Sequence, residues 1–242
     1  MISLQEEDRH SILERKQNRR IPRRDRGSYQ VTGRDEELLA FIAEQYAVTL
    51  DQLAVLIGRR PRTARGLRDR WCAAGWTRSA KLSVELPPFV WLTSRGSAIA
   101  GGRFRTWQPN HGLVRHIEAA TTVRLLLDRQ LRVGRWQCER SLARSIRGNW
   151  RARNNTHLPD ALVHTEVKTA IEVELTLKSR SRLNKIILDL CATYDRVWYF
   201  APERIRRVLE EVGPEASPWG NLSVFPYPPR AADLGVALLT TR

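Results

Sequence analysis

The sequence predicts a mixed α/β protein, α+β in overall arrangement, with a small helical unit ahead of a larger sheet-and-helix unit. Between Thr32 and Ala74, apolar residues recur at helical spacing in three short runs, and glycines follow the second and third. From Lys168 to Lys178, Ile171, Val173, Leu175 and Leu177 alternate with Glu172, Glu174, Thr176 and Lys178. A period of two marks a half-buried strand with one apolar and one polar face. After Leu113 the segments read helix, strand, strand, strand, helix, strand, helix, strand. The expected organisation is an arm over residues 1–28, a first domain over 29–100, a linker over 101–112 and a second domain over 113–242.

The arm carries Arg15, Lys16, Arg19, Arg20, Arg23, Arg24 and Arg26 against a single opposing Asp25 in that stretch. A segment of this composition cannot build a core. It suits contact with phosphates or a minor groove, or equally a solubilising tail. Helical signals begin at Thr32, where Thr32 and Asp35 have the spacing of a capping box. Leu38, Leu39, Ile42 and Tyr46 follow. A second helix starts at Thr49, places Leu53, Leu56 and Ile57 inward and ends at Gly58. A third opens at Pro61, a residue suited to the first helical position. Its inner face is Ala64, Leu67, Trp71 and Ala74, and its outer face is Arg62, Arg65, Arg68 and Asp69. A hairpin follows over Val84 to Leu92, turning at Pro87 and Pro88.

Gly101 to Gly112 reads as the linker, and Leu113 to Leu131 as a long, largely buried helix. Trp136 to Glu139 is an expected strand and Asn149 to His157 a basic loop. Asp160 to Val163 and the alternating segment then form a hairpin. Ser181 to Asp195 is a helix, Val197 to Phe200 a short buried strand, Pro202 to Val212 a helix ended by Gly213 and Pro214, and Leu222 to Phe225 a last strand.

The charge balance restricts the partners. The chain has 242 residues, with 41 Lys and Arg against 26 Asp and Glu, a formal charge of +15. Arg predominates, and its planar fork suits bidentate phosphate contacts. A polyanion is the expected partner, nucleic acid before a membrane surface. No apolar run approaches the roughly 18 residues of a membrane span. The first residues are acidic rather than basic and then apolar, which predicts no secretory signal. Cys72, Cys138 and Cys191 lack metal-ligand spacing and predict free thiols in a cytoplasmic, DNA-associated protein.

The chemistry gathers at Pro159-Asp160 and Glu172-Val173-Glu174. On an extended strand Glu172 and Glu174 stand roughly 6.6 Å apart on one face, and the hairpin brings Asp160 near Glu172. Such an acidic cluster in a basic chain is what metal-dependent phosphodiester cleavage requires. Glu118 or Glu139 could add a further acid. Lys178 lies about 13 Å beyond Glu174 on the extended strand, too far for its side chain to return. Lys185, on the following helix, is a second basic candidate.

Three helices followed by a hairpin resemble the winged helix-turn-helix, and Leu92-Thr93-Ser94-Arg95-Gly96 is similar to the Leu-Thr-x-x-Gly ending of bacterial winged-helix regulators. That resemblance implies double-stranded DNA as partner. It sets Arg62, Thr63 and Arg65 near base edges, with Arg59, Arg60 and Arg68 alongside. The second unit resembles the PD-(D/E)XK nuclease superfamily, a restriction-endonuclease-like mixed sheet flanked by helices. By that resemblance Asp160 and Glu172 hold Mg²⁺ or Mn²⁺, the Val173 carbonyl is a third ligand, and Glu174 stands where the superfamily usually has Lys. The full layout is similar to the replication-relaxation family of actinobacterial plasmids and integrative elements, through Leu158-Pro159-Asp160, Glu172-Val173-Glu174-Leu175, Lys178-Ser179 and Val197-Trp198-Tyr199-Phe200. This implies a role in replication, relaxation or transfer, with a homodimer and replication or transfer proteins as further partners. Two functions follow. One is a Mg²⁺-dependent endonuclease or nickase using Asp160, Glu172 and Glu174. The other is a non-catalytic DNA-binding accessory factor or transcriptional regulator with a degenerate nuclease fold.

Other features read as structural. His111 and His116 lack partners at zinc spacing and are expected at the surface or at a helix end. His157 is a loop histidine able to touch a phosphate. Trp71, Trp91, Trp136 and Trp198 belong to the core, while Trp107, Trp150 and Trp219 lie in loops where packing competes with base stacking. No Gly-rich phosphate loop or nucleophile elbow is present, which argues against an NTPase or a serine hydrolase.

Overall fold

Capping chemistry sets the first helices. In the computed structural model, which describes residues 29–130, 132–145 and 157–229, Thr32 caps helix α1 (Gly33–Glu44), and the reciprocal Asp35 carboxylate accepts from the Thr32 backbone. The same device recurs at α2 (Leu50–Ile57), where Thr49 and Gln52 cap each other. Gly58 closes α2 at φ 61, a left-handed conformation that glycine adopts without a Cβ clash. Pro61 then opens α3 (Pro61–Ala73). All elements described here belong to the unit beginning at Val31. The basic arm, the loop over 149–156, Trp150 and Leu131 lie outside the described residues.

Strand β1 (Ala47–Thr49) separates α1 from α2, where no strand is expected from the sequence. It joins β3 (Phe89–Leu92), which also pairs with β2 (Thr77–Ala80), in an antiparallel sheet ordered β1-β3-β2. The hairpin therefore runs from Thr77 to Leu92 rather than starting at Val84, which is exposed. Pro87 and Pro88 cannot both serve a ladder, so the connection is a loop. A short helix α4 (Ser94–Ile99), capped by Thr93, follows. At Gly96 a Cβ would lie 2.0 Å from the Trp76 carbonyl oxygen, so only glycine admits this close approach.

Helix α5 (Val114–Arg124) continues into a π-helical segment (Leu125–Gln130). Beyond it lie β4 (Arg135–Cys138), α6 (Glu139–Ser145), β5 (Ala161–His164), β6 (Lys168–Val173), α7 (Arg180–Thr193), β7 (Arg196–Ala201), α8 (Glu203–Ala216) and β8 (Leu222–Pro226). The strands form one mixed sheet ordered β4-β5-β6-β7-β8. The first pairings are antiparallel, and β6-β7-β8 are parallel. Glu139 begins a helix instead of ending a strand. Helix α8 runs through Gly213 and Pro214, since a proline in the last turn removes one backbone bond without ending the ladder, and Ser217 N–H still reaches the Gly213 carbonyl.

Both faces of the five-stranded sheet are covered. Ala161, Val163, Ile171, Val173, Trp198 and Phe200 pack with Val123, Leu126 and Leu127. The opposite face sets Leu162, Ala170, Val197 and Tyr199 against Leu183, Ile187, Leu190 and Leu209. Strand β6 is thus buried on both sides, unlike the half-exposed strand its alternation predicts, because parallel crossovers place helices over the second face. The helical part is tied to this layer. Leu125 enters the core built by α1, α2 and α3, and Gln52 Nε2 donates to the Glu118 carbonyl at 2.7 Å and to Thr122 Oγ1 at 2.9 Å.

Candidate functional site

Register brings the acids together. Ala161 pairs with Ile171 across β5 and β6, so Asp160, just before β5, lies beside the end of β6. Its Oδ2 accepts from Val173 N–H at 2.7 Å. Glu172 is 5% exposed and Glu174 4%. Asp160, Glu172 and Glu174 line one cleft of about 850 Å³, with His116, His157, Lys178, Glu118 and Tyr227 among its other walls.

Each carboxylate has a basic partner. His116 Nε2, from α5, lies 2.9 Å from Asp160 Oδ1, and His157 Nε2 lies 3.0 Å from Glu172 Oε1. Lys178 Nζ donates to Glu174 Oε2. The last contact corrects the expectation from the extended strand. β6 ends at Val173, and Glu174 to Ser179 lie in a connection that folds back, returning Lys178 to the carboxylates. Leu177, expected on a buried strand face, is half exposed for the same reason. Lys185 is exposed on α7.

Electrostatics follow from burial and like charge. Burial, then the charge of Asp160, pushes the Glu172 carboxyl up to about 7, with His157 partly offsetting. The Asp160 hydrogen bond raises His116 against the opposing effect of burial. For His157, burial works against protonation, yet the bond to Glu172 and the nearby acids raise it. Burial lowers Lys178, opposed by the charges of Glu172 and Asp160. Glu139 is raised by burial and then by Asp160. Its backbone N–H donates to the Asp160 carbonyl at 3.0 Å, while its side chain accepts from Tyr46 Oη at 3.2 Å. Glu118, the other candidate acid, is occupied by Tyr227 Oη at 2.8 Å and Thr122 Oγ1 at 2.9 Å.

The raised Glu172 has a consequence for stability. Its folded pKa exceeds the ordinary 4.5, so the folded chain retains a proton that the unfolded chain has released. The corresponding stabilisation is complete at low pH and is lost as pH rises from 4.5 through about 7. Glu172→Gln removes that loss. Its melting temperature relative to the parent is expected to be more favourable at pH 8 than at pH 5. Equal differences at both pH values, by calorimetry, would contradict the buried, proton-retaining carboxyl.

Among the described residues no group of three or more His, Cys, Asp and Glu forms a preassembled metal cage. Mg²⁺ does not need one, since it keeps several waters and binds through one or two carboxylates. The donor set fits such an ion: hard oxygens of Asp160 and Glu172 share a cleft, where burial and then the charge of Asp160 raise Glu172.

The residues expected on DNA lie apart from this cleft in sequence. Arg59, Arg60, Arg62, Thr63 and Arg65 are exposed at the start of α3, while Ala64, Leu67 and Trp71 face inward. Arg60, Arg62 and Arg65 make no side-chain hydrogen bond or ion pair among the described residues. Arg68 is half-buried and committed to Asp69 at 2.6 Å and Ser79 at 3.2 Å. No protein-family model, curated protein or solved structure matches the chain.

His116 and His157 are the site residues that sequence reasoning assigns elsewhere. His116 is 44 positions from Asp160, and a long-range contact of this kind leaves no periodic trace. Trp107, assigned to a loop, packs edge-on against Trp91 at 6.2 Å. Trp219 is 56% exposed. Among the described residues no helix is long and apolar enough to cross a membrane.

Proposed function

We propose that this chain is a DNA-binding protein that cleaves or nicks DNA with the help of a divalent cation, and that it serves a plasmid or mobile element in replication, relaxation or transfer. In this reading α1 to β3 form a winged helix-turn-helix and the five-stranded sheet with its helices forms a PD-(D/E)XK nuclease-like core. The observation that carries it is the convergence of Asp160, Glu172 and Lys178 on one cleft, beside a sheet in which an antiparallel hairpin precedes parallel strands.

Asp160 and Glu172 would hold the cation. When bound, it polarises the scissile phosphate and makes a water nucleophilic near neutral pH. The chain's own groups do the rest. His116 and the Val173 N–H orient Asp160, and His157 orients Glu172. Lys178 is held at the cleft by Glu174, which occupies the usual lysine position. Its ammonium offers positive charge to a phosphate entering there. Cleavage is tested by incubating the protein with supercoiled and linear plasmid, with Mg²⁺ or Mn²⁺ and with EDTA. Nicked or linear product only with metal supports the reading, and intact but gel-shifted DNA under every condition rejects cleavage.

A second reading keeps the DNA contact without the chemistry, as an accessory factor or transcriptional regulator. It is favoured by one observation: both carboxylates already have histidine partners. Either reading needs the arginines of α3. Arg62→Ala with Arg65→Ala is expected to reduce the salt dependence of duplex binding by about 0.9 in slope for each phosphate left without its arginine. It should also weaken binding at every salt concentration. Unchanged affinity across the salt series removes α3 from the interface.

A further inference from the structure

A second concave site shares no lining residue with the acidic cleft. Tyr46, Arg103, Phe104, Arg105, Arg140 and Arg144 surround a cavity of about 490 Å³. Four of these six side chains are guanidinium groups, and none is acidic. One carboxylate, Glu139, accepts from Tyr46 behind this wall and acts on Arg140, which leaves a surplus of positive charge on the cavity that an anion would neutralise.

The cavity is built rather than merely charged. The Arg140 guanidinium lies 4.4 Å from the Tyr46 ring centroid and 4.8 Å from that of Phe104. Its donors are fixed on the backbone carbonyls of Ala43 and Arg105. Arg144 donates to the Arg103 carbonyl at 2.7 Å. Arg140 and Arg144 thereby hold the segment bearing Arg103 and Arg105 against α6. Gly101 and Gly102, at φ 84 and 61, give that segment its left-handed turn. Tyr46 is itself held at φ 68, unusual for a residue with a side chain. The outcome is that Arg103 and Arg105 are exposed at the rim. Neither side chain has a hydrogen-bond acceptor among the described residues.

We propose that this cavity is a phosphate-binding site, taking a phosphate group through the guanidinium forks of Arg103 and Arg105, with Arg140 and Arg144 as the supporting wall. A guanidinium fork pairs bidentately with carboxylate or phosphate, but a phosphate has enough oxygens to accept from two forks at once, whereas chloride offers no such geometry. The phosphate belongs either to a nucleic-acid strand or to a free phosphorylated compound. The inference does not rest on cleavage at Asp160.

The test uses the full chain and Arg103→Ala with Arg105→Ala. These side chains are exposed, and the carbonyl groups that anchor Arg140 and Arg144 remain in the variant, so the fold is retained. Inorganic pyrophosphate is titrated while the arginine Nε–H signals are followed by NMR, with chloride at equal ionic strength as control. Saturable shifts in the parent and their loss in the variant support the site. Absence of pyrophosphate-specific shifts in the parent, or the same shifts in the variant, overturns it. A second arm measures binding of labelled duplex and single-stranded DNA across a salt series. For duplex, a slope smaller in the variant by about 0.9 per phosphate left unneutralised assigns the phosphate to a strand. An unchanged slope for both forms, with the pyrophosphate response intact in the parent, assigns it to a free phosphorylated compound.

Discussion

Asp160→Asn is expected to abolish metal-dependent cleavage of plasmid DNA while leaving DNA affinity close to the parent's. The substitution removes the charge from one of the two oxygen donors that face the cleft, and a metal's electrostatic help to a phosphoryl transition state is worth several kcal/mol. A loss on the order of a thousandfold or more in nicking rate follows from that magnitude. The fold should tolerate the change, because the Asn carbonyl oxygen can still accept from Val173 N–H, the 2.7 Å bond that ties Asp160 to β6. Binding should also survive, because the exposed arginines of α3 are untouched. The measurement is the time course of supercoiled plasmid loss with Mg²⁺, beside a duplex titration with EDTA. A variant that nicks at the parental rate excludes Asp160 from the chemistry. A parent that never nicks, with a variant that binds equally well, leaves the non-catalytic reading standing.

Trp71→Ala is expected to have the largest effect on stability, about 3–5 kcal/mol, the range for deleting a large aromatic from a packed core. Trp71 is 1% exposed and lies among Leu39, Ile42, Leu53 and Leu67. Its Nε1–H donates to Asp35 Oδ1 at 2.9 Å, and Asp35 is the capping partner of Thr32. One side chain therefore connects the inner face of α3 to the first turn of α1. Trp71→Phe keeps most of the ring packing and loses the hydrogen bond, so a smaller cost of roughly 1–3 kcal/mol is expected. Urea unfolding of the three proteins checks both values. Equal midpoints for parent and Trp71→Ala would show that α3 is not held by this core.

The helices from Thr32 onward are legible in the sequence because their signals are local. Thr32 with Asp35, Gly58 and Pro61 act within a turn of their own position, and the inner face Ala64, Leu67, Trp71 is a matter of helical period. The acids at Asp160 and Glu172 are legible for a related reason, since a hairpin register joins residues 12 apart in sequence. Sequence and structure part where a distant element decides the outcome. The alternation through Leu177 has the period of a strand, yet pairing with β7 ends at Val173 and Phe200, and the freed chain turns back. Similarly, β1 exists because Ala47 to Thr49 meet Trp91 to Phe89 across the small sheet. A three-residue strand has too little pattern to announce itself.

By itself the sequence determined the α/β class, most helix starts, the exposed arginine face of α3, and the nearness of Asp160 to Glu172. These follow from composition, periodicity and capping, which depend on neighbours along the chain. Only the tertiary structure decided that His116 and His157 face those carboxylates, that Lys178 returns to Glu174, and that Glu172 is buried enough to hold its proton near neutrality. It also decided that Arg103 and Arg105 share a cavity with Arg140 and Arg144. Each of those facts joins groups that only packing brings together, and around Glu172 the charges interact strongly because burial removes the water between them.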